Sequence, residues 1–497
     1  MPNDILFAGY PSAIIYEAGD GGNPPAKLKA AKHLLWGDYM TVKGQSSDGT
    51  FLKVFSRGVE GWIRKTDTQA KRLLEIVYVD IGQGDGALVV TPDDKKYVID
   101  AGQGDNMFRF LSWRFGKFKK KVNFDAAILS HSDIDHYGGF KQLFEEPNAY
   151  FKTVYTNGIM ERKAGAKADG IGPRVPHQGR KYITDLVTSQ PELQAFLSDP
   201  QKSDGKAYPT MLGQALDGGR FGDFKMLDVT AGHLSGHGPG KPLEIQVLGP
   251  WPEDVNGSPG LRWFGDVGKT KNGHSIVFRF VMGKVKIFMG GDLNIESSRL
   301  LLEMHTGLPG NPSTPEEEDE LVAAARPIFG CDVAKSCHHG SADTLLPFMK
   351  SINPVATVVS SGDDEPHAHP RADALGAMAK CSRGNRPLIL STELSRSAKE
   401  LIKQPEMLRK QYKELNDQIA AETDPARKER LRTKFHKLVD KLERSVAVYG
   451  AINLRTDGEK VVLAYKLERS KPSKGWDIYV LEPAGPNGPL VYRSKYD

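Results

Sequence analysis

The sequence predicts a layered α/β protein with a small β module ahead of the main domain and a helical hairpin inserted late in it. Three observations carry this reading. Short apolar runs of strand length recur throughout the middle of the chain and are separated by Gly/Asp turns and helical stretches. The first seventy residues show only short β-like runs with turn signals. From Ser397 to Arg444 the apolar residues switch to helical spacing. At 497 residues the chain exceeds one ordinary core, so several folding units are expected: residues 1–70, 71–396, 397–445 and 446–497.

In the first unit, Met40 to Val42, Phe51 to Phe55 and Gly61 to Ile63 alternate with turns at Trp36-Gly37-Asp38 and Ser47-Asp48-Gly49. The late Gly61-Trp62-Ile63 strand resembles that of bacterial SH3-like modules, which implies a small barrel. Such a barrel serves either as a packed accessory or as a contact for a protein partner. From Leu74 the texture changes. Strands are expected at Glu75 to Ile81, Ala87 to Thr91, Tyr97 to Asp100, Asp125 to Ser130, Phe151 to Tyr155, Leu243 to Leu248, Ser275 to Val281, Lys286 to Met289, Val333 to Lys335 and Thr357 to Ser360.

Between Asn157 and Arg262 the chain is rich in Gly, Pro and basic residues, including Arg162, Lys163, Lys167, Arg174 and Arg180, and reads as long functional or disordered loops. In the late insertion, Leu408, Tyr412, Leu415 and Ile419, then Leu431, Phe435, Leu438 and Leu442, imply two antiparallel helices that turn at Thr423-Asp424-Pro425. The cations of the second helix, from Arg427 to Lys441, read as a solvated face.

Composition excludes several classes. Lys plus Arg exceed Asp plus Glu by 67 − 62 = 5, too small a bias to define a nucleic-acid binder by itself. No apolar run approaches the roughly 20 residues of a membrane span, and the N-terminus lacks a secretory signal, so no membrane role and a cytoplasmic location are expected. Cys331, Cys337 and Cys381 form neither a disulfide framework nor a thiolate zinc cage.

The chemistry concentrates after the strand Asp125 to Ser130, in His131-Ser132-Asp133-Ile134-Asp135-His136. Four imidazole and carboxylate groups in six positions are costly to assemble without a cation. The run resembles the H-x-[HD]-x-D-H signature of the metallo-β-lactamase superfamily, with Asp133 at the middle position. Val79-Asp80-Ile81-Gly82-Gln83-Gly84-Asp85-Gly86 and Val98-Ile99-Asp100-Ala101-Gly102 are similar to the hydrolase domain of ComEC-type DNA-uptake proteins. The glycines do not form a dinucleotide-binding fingerprint, because a strand rather than a helix follows them.

The resemblance implies a four-layer αββα sandwich and two divalent ions, Zn²⁺ or Mn²⁺. Its implied ligands are His131, Asp133, Asp135, His136, a bridging Asp292 in Gly290-Gly291-Asp292, and His339 in Cys337-His338-His339-Gly340-Ser341. His274 in Asn272-Gly273-His274-Ser275 is a further candidate ligand. Asp80, Asp85, Asp100, His338 and Ser341 are expected behind the ligands, with His338 supporting His339. Asp135 and His369, from Pro366-His367-Ala368-His369-Pro370, are the candidate catalytic groups; His369 is expected as a ligand, a substrate contact or a proton donor.

Two bound ions would generate a nucleophilic hydroxide and neutralise charge on a phosphoryl group. DNA is the expected substrate, supported by the basic run at Lys117, Lys119, Lys120 and Lys121. The alternatives are a small phosphodiester, such as a cyclic nucleotide or a phospholipid head group, and an effector of a defence system regulated by a partner at the SH3-like module or the hairpin.

Overall fold

The computed structural model describes residues 5–19, 22–163, 170–362, 367–393, 405–442 and 446–494. Lys167, Pro366, and residues 397–404 and 443–445 of the late insertion lie outside the described residues. Seven antiparallel strands between Ile5 and Gln69 form the first sheet, and they include Tyr39–Gln45, Phe51–Ser56 and Val59–Arg64. Ala13, Ile15, Leu34, Met40, Val54 and Ile63 fill its core.

The main domain holds two larger sheets. Ten strands run in the order Phe221–Met226, Ala149–Thr156, Val122–Ile128, Lys96–Ala101, Gly86–Val90, Leu74–Tyr78, Ile452–Thr456, Val461–Lys471, Lys474–Pro483 and Leu490–Tyr492. The other sheet runs Glu244–Gly249, Val277–Met282, Val285–Met289, Val333–Lys335, Ala356–Val359 and Leu388–Ser391. Ile76, Tyr78, Val89, Ile99 and Ile128 from the first pack against Ile245, Phe278, Ile287, Val333 and Val358 from the second in one apolar cluster. The opposite faces carry helices. Val77, Leu88 and Val98 pack with Met107, Phe110, Phe140 and Leu212, while Val277, Phe288 and Ala334 pack with Leu301, Leu321 and Phe348. Burial on both faces explains why these strands read as continuous apolar runs rather than alternating ones.

The β module is fixed to this domain by apolar and ionic contacts. Trp36 and Leu73 pack on Val462, Ala464 and Trp476. Arg455, fully buried, reaches Asp38 at 3.4 Å and Glu75 at 3.0 Å, and Asp38 also pairs with Arg57 at 2.8 Å. Burial alone would raise the Asp38 pKa, but the two guanidinium groups hold it down at about 2.

Two expectations need correction. The stretch from Asn157 to Arg262 is not a long loop: it holds a four-stranded sheet, including Arg174–His177, Arg180–Ile183 and Ser258–Arg262, and the helices Gln190–Leu197 and Ala207–Asp217. Its order comes from a separate core of Ile159, Ile171, Ile183, Leu186 and Leu261, too widely spaced in sequence to show a period. The basic run ending at Lys121 precedes the strand Val122–Ile128, whereas His131 follows it. Seven residues of strand separate them by roughly 20 Å, so those lysines do not border the His131 segment.

The late insertion forms the helices Pro405–Ala421 and Pro425–Leu442, and the Asp424 carboxylate caps the second by accepting from the Arg427 N–H at 2.7 Å. Among the described residues no helix is long and apolar enough to cross a membrane. The three cysteines are free.

Candidate metal centre

The parallel strands of both sheets deliver their following residues to one edge of the sandwich. Lys96–Ala101 and Val122–Ile128 pair in parallel and lead to Asp100 and to Ser130-His131. Val285–Met289, Val333–Lys335 and Ala356–Val359, also parallel, lead to Asp292, His339 and Ser360. Here Asp85, His136, Asp292 and His339 each present one ligand atom within 4.8 Å of all the others, and all four are buried.

Two carboxylates aim two imidazoles. Asp100 accepts from Nδ1 of His136 at 2.9 Å, and Asp85 lies 3.0 Å from Nδ1 of His339. The hydrogen bond to Asp100 places the ring proton of His136 on Nδ1, and in both rings the contact at Nδ1 turns Nε2 inward. The two Nε2 atoms are 3.3 Å apart, and each is 3.2 Å from Oδ2 of Asp292. Asp135 Oδ2 lies 3.6 Å from His339 Nε2. Converging lone pairs and carboxylate oxygens repel unless a cation or protons lie between them. The other Asp292 oxygen is buried without a hydrogen-bond partner.

The donor set therefore fits a divalent cation. His136, His339, Asp292 and Asp135 could hold it, with Asp100 and Asp85 behind the imidazoles. Although Asp85 belongs to the close group, its geometry is that of a brace: one oxygen meets Nδ1 of His339, the nitrogen turned away from Asp292, and the other meets the Lys335 ammonium.

The electrostatics follow from these contacts. Burial opposes charge on His136, yet Asp292 and Asp100 hold its pKa well above the usual imidazole value. Burial likewise opposes charge on His339, and Asp292 and Asp85 outweigh it, raising the pKa to about 10. Burial would raise the Asp292 pKa, but the surrounding imidazoles hold it well below the carboxylate range. The site is a trap for positive charge.

Local backbone geometry serves the same end. Asp100, His338 and His339 take positive φ values of 53°, 47° and 53°, which non-glycine residues rarely adopt. Ser130 fixes Asp100 by donating its N–H at 2.7 Å and its hydroxyl at 2.7 Å. Gly84, at φ 98°, lies so close to the short helix Ile134–Tyr137 that a Cβ would collide with the Asp135 carbonyl oxygen. Gly84→Ala is expected to cost more than about 1 kcal/mol of stability and to weaken metal binding. Thermal unfolding and metal titration check both; unchanged values would show that the loop moves aside freely.

The remaining predicted residues take other places. His131 lies beside His136 with ring centroids 4.0 Å apart and planes tilted by 49°, its Nδ1 near the Ser130 and Ser275 hydroxyls at 3.1 and 3.2 Å and its Nε2 3.6 Å from Asp133. Asp133 pairs with Lys271, and the Asn272 amide, oriented by its partners, donates to Asp133 Oδ2 at 2.6 Å. Burial opposes charge on Lys271, yet Asp133 and Glu161 keep its pKa above the ordinary lysine value.

His274 does not join the group. Its Nε2 lies 2.7 Å from the Arg262 carbonyl, its ring stacks on Phe264, and burial lowers its pKa to about 4. The inserted sheet captures this side chain, so the expected ligand is corrected to a structural contact. His338 does not support His339: it faces Asp292 at 4.0 Å with its ring 6.2 Å from that of His339, and Asp85 supplies the support instead. His369 packs edge-on against His338 at 5.6 Å. Asp80 accepts from the Gly82 N–H at 3.3 Å, and the Ser341 hydroxyl accepts from the Asp343 N–H at 3.1 Å, so both shape turns.

Sequence reasoning missed Lys335, Lys271, Glu161 and Ser130. A lysine in the fully buried strand Val333–Lys335 is a legible anomaly. Lys271 and Glu161 carry no such signal, because Lys271 meets Glu161 and Asp133 only through the tertiary fold.

A sandwich of two sheets with buried imidazoles and carboxylates converging at one edge defines the class. The family model of the metallo-β-lactamase superfamily matches residues 80–337, just over half of the chain, and the protein belongs to that superfamily. No curated protein sequence matches it. Among solved structures it is similar to a point mutant of the CmlA β-hydroxylase, at 10% identity and TM-score 0.30 over 66% of this chain and 54% of that one. The chain thus spans about half the length of the hydroxylase. It is also similar to the metallo-β-lactamase SMB-1 bound to 2-mercaptoethanesulfonate, at 13% identity and TM-score 0.24 over 53% and 78% of the two chains. A third, MEM-A1, a subclass B3 metallo-β-lactamase from a soil metagenome library, matches at 13% identity and TM-score 0.24 over 56% and 81%.

Proposed function

We propose that this αββα hydrolase is a metal-dependent phosphodiesterase of the ComEC-type branch acting on DNA. The observation that carries the reading is the pair of braced imidazoles whose Nε2 atoms meet Asp292 at 3.2 Å. A bound Zn²⁺ or Mn²⁺ supplies charge neutralisation at a phosphoryl oxygen and lowers the pKa of water. The chain's own groups do the rest. Asp100 and Asp85 hold the imidazoles in the ligating tautomer, and Lys335 holds Asp85. Asp135 has a side chain 18% exposed against 3% for Asp292, so it faces the solvent side, where it accepts a proton from attacking water. His369, beside His338, serves to protonate the leaving oxygen.

Support for a polymeric anion comes from the inserted sheet rather than from Lys117 to Lys121. Arg174, Arg180 and Lys181 are exposed on it, and Arg174 lies over Trp263. This sheet lies close to the site, because Arg262 on it contacts His274, and the next residue, Ser275, has its hydroxyl 3.2 Å from Nδ1 of His131.

The test incubates the full chain with Zn²⁺ or Mn²⁺ and plasmid, single-stranded DNA, RNA or cyclic nucleotides. DNA cleavage that a chelator abolishes is the expected result. Intact DNA with the metal demonstrably bound overturns the reading, and turnover of cyclic nucleotides alone assigns the site to small phosphodiesters.

A further inference from the structure

The two halves of the site differ in what they leave for a cation. Around Asp292 the electron pairs are open: two inward Nε2 atoms, the Asp135 carboxylate, and an Asp292 oxygen without a hydrogen-bond partner. Around Asp133 they are taken. One carboxylate oxygen carries the Lys271 ammonium and the other the Asn272 amide at 2.6 Å. The imidazole expected to complete this half, His274, is committed to the Arg262 carbonyl.

Lys271 is not a mobile surface chain that happens to fall on Asp133. It is buried near the end of the helix Val267–Gly273, held by Glu161 at 3.0 Å as well, and within 3.4 Å of the Ser132 carbonyl. A divalent ion between His131 and Asp133 would therefore have to displace the Asn272 amide and sit against a fixed positive charge. At a few ångströms in a partly buried site, like charges repel strongly.

We infer that the centre binds a single divalent ion, at His136, His339, Asp292 and Asp135, and that the Lys271 ammonium occupies the place of the second. The inference rests on the metal-dependent reading of the site and not on DNA as substrate. It also predicts that without Lys271 the Asp133 carboxylate, 3.6 Å from Nε2 of His131, is open to a second ion.

Metal content of the purified full chain after equilibration with Mn²⁺, read by mass spectrometry together with electron paramagnetic resonance, decides it. The wild type is expected to hold one tightly bound ion with an isolated-ion spectrum. Asp133→Asn keeps that ion and Asp292→Asn loses it. Lys271→Ala rises to two ions with a spin-coupled spectrum. Two coupled ions in the wild type, loss of the ion in Asp133→Asn, or a folded Lys271→Ala chain that stays at one ion each overturn the inference. A wild type that binds no ion overturns the metal-dependent reading along with it, whereas two ions overturn this inference alone. Should Lys271→Ala fail to fold, the wild-type count and Asp133→Asn still decide.

Discussion

Replacing Asp135 and His136 together by alanine is expected to reduce metal-dependent DNA cleavage by about 10³-fold or more, since metal-ion catalysis contributes several kcal/mol and each 1.4 kcal/mol is a factor of ten. His136 contributes one of the two inward nitrogens, 3.2 Å from Asp292, and Asp135 the carboxylate on the solvent side. Both side chains end at the site rather than in the apolar core, so the fold should survive. Initial rates on plasmid and single-stranded DNA, with circular dichroism as the control for folding, measure the effect. A well-folded double variant that retains wild-type rates would remove these residues from the chemistry.

Lys335→Met should be the most damaging single change to stability near the site. The ammonium is 3% exposed, pairs with Asp85 and lies 3.3 Å from the Gly291 carbonyl. Removing one partner of a buried ion pair typically costs about 3–5 kcal/mol, because the other charge is left without compensation. Asp85 is the partner left behind, and it also braces His339, so metal affinity should fall as well, by about 10- to 100-fold. Adding Asp85→Asn to Lys335→Met removes the stranded charge and should recover part of the stability while leaving the metal affinity low. Thermal unfolding and metal titration of the two single variants and the double variant read both effects. Equal stability of wild type and Lys335→Met would show that the pair is dispensable.

The β module bears on any proposal of a partner. Its Asp38 is buried against Arg57 and the main-domain residue Arg455, and its Trp36 packs on the C-terminal strands. Binding of a protein partner through the module would therefore use its outer strands rather than this seam. The helical hairpin, whose Phe435 and Leu438 are buried while Lys410, Lys413, Arg427, Arg430 and Lys434 are exposed, is the other proposed contact.

The sequence by itself determined the strands that end at the site, and it did so for a physical reason. Strands buried on both faces are written as continuous apolar runs, and Asp100 near the end of one such run, and His131, Asp292 and His339 within a few residues after the others, stand out as polar groups at the strand ends. The likeness of those short segments to one superfamily was legible for the same reason. Only the tertiary structure decided which nitrogen of each imidazole faces inward, because that depends on Asp100 and Asp85, 36 and 254 positions away from His136 and His339. It also decided His274. Adjacent to Ser275 in sequence, this residue looks like a ligand, but the inserted sheet offers it a carbonyl and an aromatic face in another direction. Lys271 meets Asp133 and Glu161, the latter 110 positions away, only in the folded chain. Local pattern records the burial of a strand; it does not record which distant charge will be brought against its end.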